Sequence, residues 1–174
     1  WNAGDETVAL AEWRIGDEES AGGNEGMYLL PPTEQLAPGE ALLIARDAAS
    51  FQLRFGIWLD YAFRSTPDPD LVPLLERDLP WGIGNWAMSD NGDEVLLLDR
   101  WGRQVAGIAF RNGDFAALGL TGHDVSAPAP RALHHVAGLD STNVNDWFAK
   151  DLPSPGMPYL IPDTPAAPLG PAIA

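Results

Sequence analysis

The residues of this chain that could do chemistry by type and spacing are its histidines and two runs of carboxylate and amide side chains. His134 and His135 are adjacent, with His123 a little upstream. Imidazoles of this kind bind zinc when further donors converge on one ion. Neighbouring strand residues point to opposite faces, so His134 and His135 cannot chelate one ion together, and no H-E-x-x-H pattern accompanies them. They read as a surface or partly packed pair. Asp140-Ser141-Thr142-Asn143-Val144-Asn145-Asp146 gathers hard oxygen donors, the type of ligand of which calcium takes about six to eight. Asp140, Asn143, Asn145 and Asp146 are the candidate ligands. The run lacks the central Gly and terminal Glu of an EF-hand loop, and the same residues build Asx-turns ahead of a strand. Asp90, Asn91, Asp93 and Glu94 form a second acidic run, which reads as the polar entry to a hairpin. There is no nucleophile elbow, phosphate-binding loop or dinucleotide fingerprint. Carboxylate pairs for glycoside hydrolysis meet only in a fold. The expectation is a chain that is not an enzyme by itself and has no cofactor, with calcium as the candidate ion.

The seven Trp carry the sharper binding hypothesis. Trp13 and Trp147 sit in strand-like stretches and are expected in the core. Trp58, Trp81 and Trp86 lie in or beside an irregular, Pro-rich block from Ile57 to Trp86, where a loop-borne apolar patch could grip a sugar or a protein. In the packing alternative the block folds back over a sheet edge and buries its own Trp.

Charge narrows the partners. A net charge of −15, with 25 acidic residues against ten basic ones, repels a phosphate backbone. Nucleic acid is therefore not expected; a protein or glycan partner is. With no Cys there is no disulfide, thiolate metal site or Cys nucleophile. No apolar run approaches the ~20 residues of a membrane span. The chain opens at Trp1 rather than Met, which reads as a piece cut from a longer parent chain.

The elements that position these residues are short. Val95–Leu98 and Gln104–Phe110 are apolar runs joined by Asp99-Arg100-Trp101-Gly102. Gly there suits a type I turn closed by a bulge, because only Gly takes positive φ without a Cβ penalty. Val8 and Leu10, Trp13 and Ile15, Met27 to Leu30, Ala41 to Ala45, Ile57 to Phe63, Arg131 to Val136 and Asp146 to Lys150 give further strands. Asp47 caps a short helix through Phe55, with Gly56 as its stop. Gly16 to Gly26 reads as a flexible, solvated acidic loop. From Pro153 the chain is Pro-rich, and residues 158–174 read as a linker or tail. Many short strands with Gly and Pro turns predict an all-β sandwich. The expected core is Val8, Leu10, Trp13, Ile15, Leu42, Ile44, Phe51, Val95, Leu97, Val105, Ile108 and Trp147.

Five stretches, in order, resemble the lamin tail domain, an immunoglobulin-like antiparallel β-sandwich. Asn2 to Trp13 is similar to the family's N-x-G-D-x-x-V-D-L-S-G-W, and Leu36 to Asp47 to its L-x-P-G-x-x-L-x-V-x-x-D. Phe51 to Gly56 is similar to its F…Y-G, Met88 to Gly102 to its L-S-N-x-G-D-x-V-x-L-x-D-x-x-G, and Asp140 to Gly156 to its closing D-x-x-x-N-x-x-D-F…P-x-P-G. The resemblance covers residues 1–157, with an insertion at about 57–86. Of the family's first strand only Trp1-Asn2 is present, which implies that this strand is missing from the fragment. Animal lamin tails bind chromatin and other proteins, and bacterial relatives are pieces of large exported proteins, sometimes joined to hydrolases. Nine Arg to one Lys and the Pro-Ala tail favour the bacterial setting. The resemblance thus implies an interaction or structural module of an extracellular or cell-surface protein. The alternative is an accessory domain, calcium- or carbohydrate-binding, of a secreted hydrolase.

Overall fold

The computed structural model describes residues 1–113, 119, 132–136, 146–150 and 153–157. Along the chain run β1 (Val8–Ala9), β2 (Arg14–Gly16), β3 (Met27–Leu29), β4 (Gln35–Leu36), β5 (Ile44–Asp47), α1 (Ala48–Phe55), β6 (Tyr61–Ser65), β7 (Glu76–Arg77), β8 (Gly92–Leu98), β9 (Gln104–Arg111), β10 (Ala132–His135) and β11 (Trp147–Lys150). The expected helix has its expected bounds. Asp47 caps it, accepting the Ser50 N–H at 2.7 Å, and Gly56 ends it at φ 73°. The hydroxyl of Ser65 and the Ser50 contacts hold the Asp47 carboxyl at a pKa of about 2.

The β8–β9 hairpin organises the larger layer. The Gly102 N–H donates to the Asp99 carbonyl at 2.9 Å, with Gly102 at φ 77°. The Asp99 carboxylate accepts the N–H groups of Trp101 and Arg103, each at 2.9 Å. The expected turn and bulge are both present. Leu97 pairs with Ala106 and Leu98 with Gln104, so Val105 is the extra residue of the bulge. A bulged residue has no cross-strand partner, and Val105 is 45% exposed rather than in the core. Antiparallel pairing extends the hairpin to a five-stranded sheet of order β7-β3-β2-β8-β9.

A second layer faces it, made of the antiparallel pair β1–β4 and the pair β5–β6. Tyr28, Ile15 and Leu97 from the first layer meet Leu10, Leu36 and Ile44 from the second, around buried Leu30, Leu75 and Trp86. Each fully buried Leu of this kind contributes roughly 1.5–3 kcal/mol. The protein is an all-β sandwich with one short helix among the described residues. β5 and β6 are parallel, a departure from uniform antiparallel pairing. Its cause is local: a parallel connection needs about a dozen residues, usually with a helix, and the connection over residues 48–60, which contains α1, supplies them.

The back of the large sheet is covered too. Met27, Leu96, Leu98 and Ala109 form a second cluster with Trp81 laid over it. Burial on both faces explains why Leu96-Leu97-Leu98 is apolar without alternation. The acidic segment expected to be a solvated loop packs beside the Trp81 ring, with the Glu18 carbonyl accepting its Nε1–H. Its middle, Ser20 to Gly22 with Asn24 and Glu25, is exposed as expected, but Gly16, Asp17, Glu18 and Gly26 are buried. Asp17 accepts the N–H groups of Gly26 at 2.7 Å and Ala87 at 3.0 Å, and Glu18 accepts that of Glu25 at 3.0 Å. The carboxylates replace water for a backbone that would otherwise be unsatisfied. The block at 57–86 likewise supplies β6, β7 and buried Leu59, Val72 and Leu75. β10 and β11 pair antiparallel, and Leu133 and Trp147 pack on Ile108. Among the described residues no helix is long and apolar enough to cross a membrane.

Candidate functional site

The three Trp singled out by sequence take three different places. Trp86 is a core side chain, 7% exposed, with its ring stacked on Phe63 at 4.4 Å and beside Tyr28 at 6.3 Å. Trp81 is half-buried, and its Nε1–H donates to the Glu18 carbonyl at 3.0 Å. Trp58, in the connection after α1, is 46% exposed.

The most exposed Trp is Trp101, at 66%. A four-residue turn has no interior, so its side chain stands at the tip of the β8–β9 hairpin. The guanidinium carbons of Arg100 and Arg103 lie 4.5 and 4.6 Å from its ring centroid, within the range of cation–π attraction. Asp99 fixes Arg103 through contacts of 2.7 Å to Nε and to Nη2. The turn is also held from below. A Cβ on Gly102 would meet Trp81 at 2.5 Å, so that ring lies directly under the turn. Arg14, ion-paired with Asp78, sits over the same ring at 5.1 Å and reaches the carbonyls of Asp99 and Arg100. Two Trp and three of the ten basic residues are thereby gathered on one hairpin tip. The signal was the D-R-W-G-R order itself, an aromatic between two arginines at a turn.

A second arrangement draws on distant segments. One carboxylate oxygen each from Glu19, Glu25 and Glu94 lies within 4.8 Å of the others. Asp93 and Glu94, expected as the polar entry to the hairpin, are buried. Three such oxygens could contribute to a site for a hard cation, but exposed acidic groups of this kind are common without one, and nothing else among the described residues points to a ligand. The cluster does carry electrostatic tension. Desolvation first, then the charges of Asp17, Glu19, Asp93 and Glu18, push the Glu25 pKa up to about 7. Desolvation also raises that of Asp17, although two N–H donors oppose it.

A carboxyl raised in this way favours the fold fully below its unfolded value, about 4.5, and loses that contribution as pH rises through about 7. Glu25→Gln is therefore expected to stabilise the protein at pH 8 and to do nothing at pH 4. Solvent reaches Glu25 and screens the repulsion, so the gain is about 1 kcal/mol. Urea midpoints of both proteins at the two pH values measure it, and equal midpoints at pH 8 would count against the tension.

His134 and His135 are half-buried strand residues. His134 stacks on Phe148 at 5.8 Å and His135 tilts against Trp147 at 4.8 Å. They are partly packed, as expected. Of the candidate calcium ligands, Asp146 is half-buried and its carbonyl accepts the Val136 N–H at 2.9 Å. Asp140, Asn143 and Asn145 lie outside the described residues, as do His123 and the tail at 158–174. Comparison with known proteins finds no matching family model, no matching curated protein and no matching solved structure.

Proposed function

We propose that this chain is a non-catalytic interaction module of the lamin-tail kind that its motifs resemble, borne by a larger exported or cell-surface protein. The observation that supports this reading best is the hairpin tip, where Trp101 stands exposed between Arg100 and Arg103. Trp and Arg are enriched in binding hot spots. Trp presents a large flat apolar area with few rotamers to freeze, and Arg a planar guanidinium with several donors that also stacks on rings. The tip is also rigid, since Asp99 below and Trp81 behind leave the turn little freedom. A preorganised surface loses less entropy on binding.

The test is a glycan array and a bead-displayed peptide library, both probed with the labelled protein. A retained ligand is expected, with Trp101→Ala weakening it at least about tenfold. The same substitution should shift stability by no more than about 0.5 kcal/mol, as an exposed side chain should. Undiminished binding by Trp101→Ala, or no retained ligand on either surface, overturns the reading. A glycan as the sole retained ligand would favour the alternative, an accessory carbohydrate-binding domain of a secreted hydrolase.

A further inference from the structure

At the β7 edge of the large sheet lies an apolar cleft of about 370 Å³. Its apolar lining is Leu29, Leu30, Pro31, Pro32 and Leu74, and two exposed carboxylates, Glu12 and Glu76, stand at its rim. β7 is an outermost strand, and Glu76 is paired across it with Leu29, so the two side chains share one face of the sheet. Leu74 is 50% exposed. Glu12 is held in place by its backbone: it takes φ 62°, in the turn closed by the Trp13 N–H on the Leu10 carbonyl at 3.0 Å.

Among the described residues neither Glu12 nor Glu76 has a side-chain hydrogen bond or ion pair. The basic residues closest in sequence have other side-chain and ring partners. Arg14 is bound to Asp78 and laid over Trp81, and its Nη1 donates to the Glu12 carbonyl, not its carboxylate, at 3.4 Å. Arg77 gives its guanidinium to the carbonyls of Ile83 and Gly84. A surface with an apolar floor and anionic rims complements a cation on an apolar stem. A second copy of this chain, at a net charge of −15, is repelled rather than attracted. Anionic lipid and nucleic acid are repelled for the same reason.

We propose that the cleft receives a basic segment of a protein partner: a Lys or Arg flanked by aliphatic or Pro residues. The cation sits between Glu12 and Glu76, and the flanking residues lie on Leu29, Pro31 and Leu74. This rests on the interaction-module reading and names a surface and a partner chemistry for it.

The experiment is an amide-resolved NMR titration of the full chain with the blocked peptide acetyl-Pro-Leu-Lys-Leu-Pro-amide. Its Glu-for-Lys counterpart and spermidine serve as separate probes. Shifts are expected at Glu12, Leu29, Leu30, Leu74 and Glu76 with the Lys peptide alone. The double variant Glu12→Gln/Glu76→Gln should weaken it at least about fivefold, whereas Glu19→Gln, an acidic residue elsewhere, should leave it unchanged. Shifts scattered over the acidic surface, insensitivity to the double variant, or an equal response to the Glu peptide or to spermidine each overturns the proposal. Failure here with a Trp101-dependent ligand still retained on the arrays removes the cleft and leaves the interaction module. Cleft binding with no ligand retained on the arrays does the reverse to the reading based on Trp101.

Discussion

Trp86→Ala is expected to cost about 3–5 kcal/mol and to lower the melting temperature by about ten degrees. The side chain is 7% exposed, at the junction of the two layers, stacked on Phe63 of β6 and beside Tyr28 of β3. Removing it leaves a cavity that neither layer can close, since both are held by backbone pairing. Trp101→Ala, at 66% exposure, supplies the internal contrast, because it should barely move the melt. Thermal or urea unfolding of the two variants side by side decides the matter. A Trp86→Ala protein melting within a degree or two of the parent would mean that the layers do not meet at this ring.

Gly26→Ala is expected to be comparably severe, at about 3 kcal/mol or more. A Cβ at this position would stand 1.9 Å from the backbone nitrogen of Trp86 and 2.5 Å from the carbonyl carbon of Asn85. Both obstacles are main chain, so no side chain can swing aside to relieve them. Gly84, one turn of the facing segment away, is closed in the same manner by the Asn24 carbonyl at 1.8 Å. The substitution must therefore prise residues 24–26 from the facing backbone of residues 84–86, loosening the seat of Trp86. Denaturant unfolding with Trp fluorescence as the readout measures the loss. A Gly26→Ala variant with parental stability would show that the two backbones do not approach as described.

Some of this molecule was legible in its residues. The β8–β9 turn follows from Gly102 and Asp99, and α1 follows from Asp47 and Gly56. In both cases the signal is steric or a hydrogen bond spanning a few residues, so it needs no tertiary partner. The sandwich class was legible for the same reason, as a sum of local turns and short apolar runs. The bulge at Val105 was legible in kind but not in its effect on that side chain, because the residue that loses its partner is set by register across the hairpin.

What the residues could not say is which surfaces meet. Asp17 and Glu18 read as part of a solvated run because their polarity is local. Their burial depends on the segment folding back so that the N–H groups of Glu25 and Gly26, and of Ala87 from a distant loop, reach them. Trp58, Trp81 and Trp86 look alike in sequence, and only the packing of the two layers makes one a core ring, one a half-buried cover and one a surface residue. The triad of Glu19, Glu25 and Glu94, the support of Trp101 by Trp81 and Arg14, and the cleft shared by Glu12 and Glu76 all join residues from separate strands and loops. Local chemistry determined where the chain turns and caps. Burial and charge environment were decided by the tertiary structure, because desolvation and Coulomb interaction depend on distance in space and not on separation along the chain.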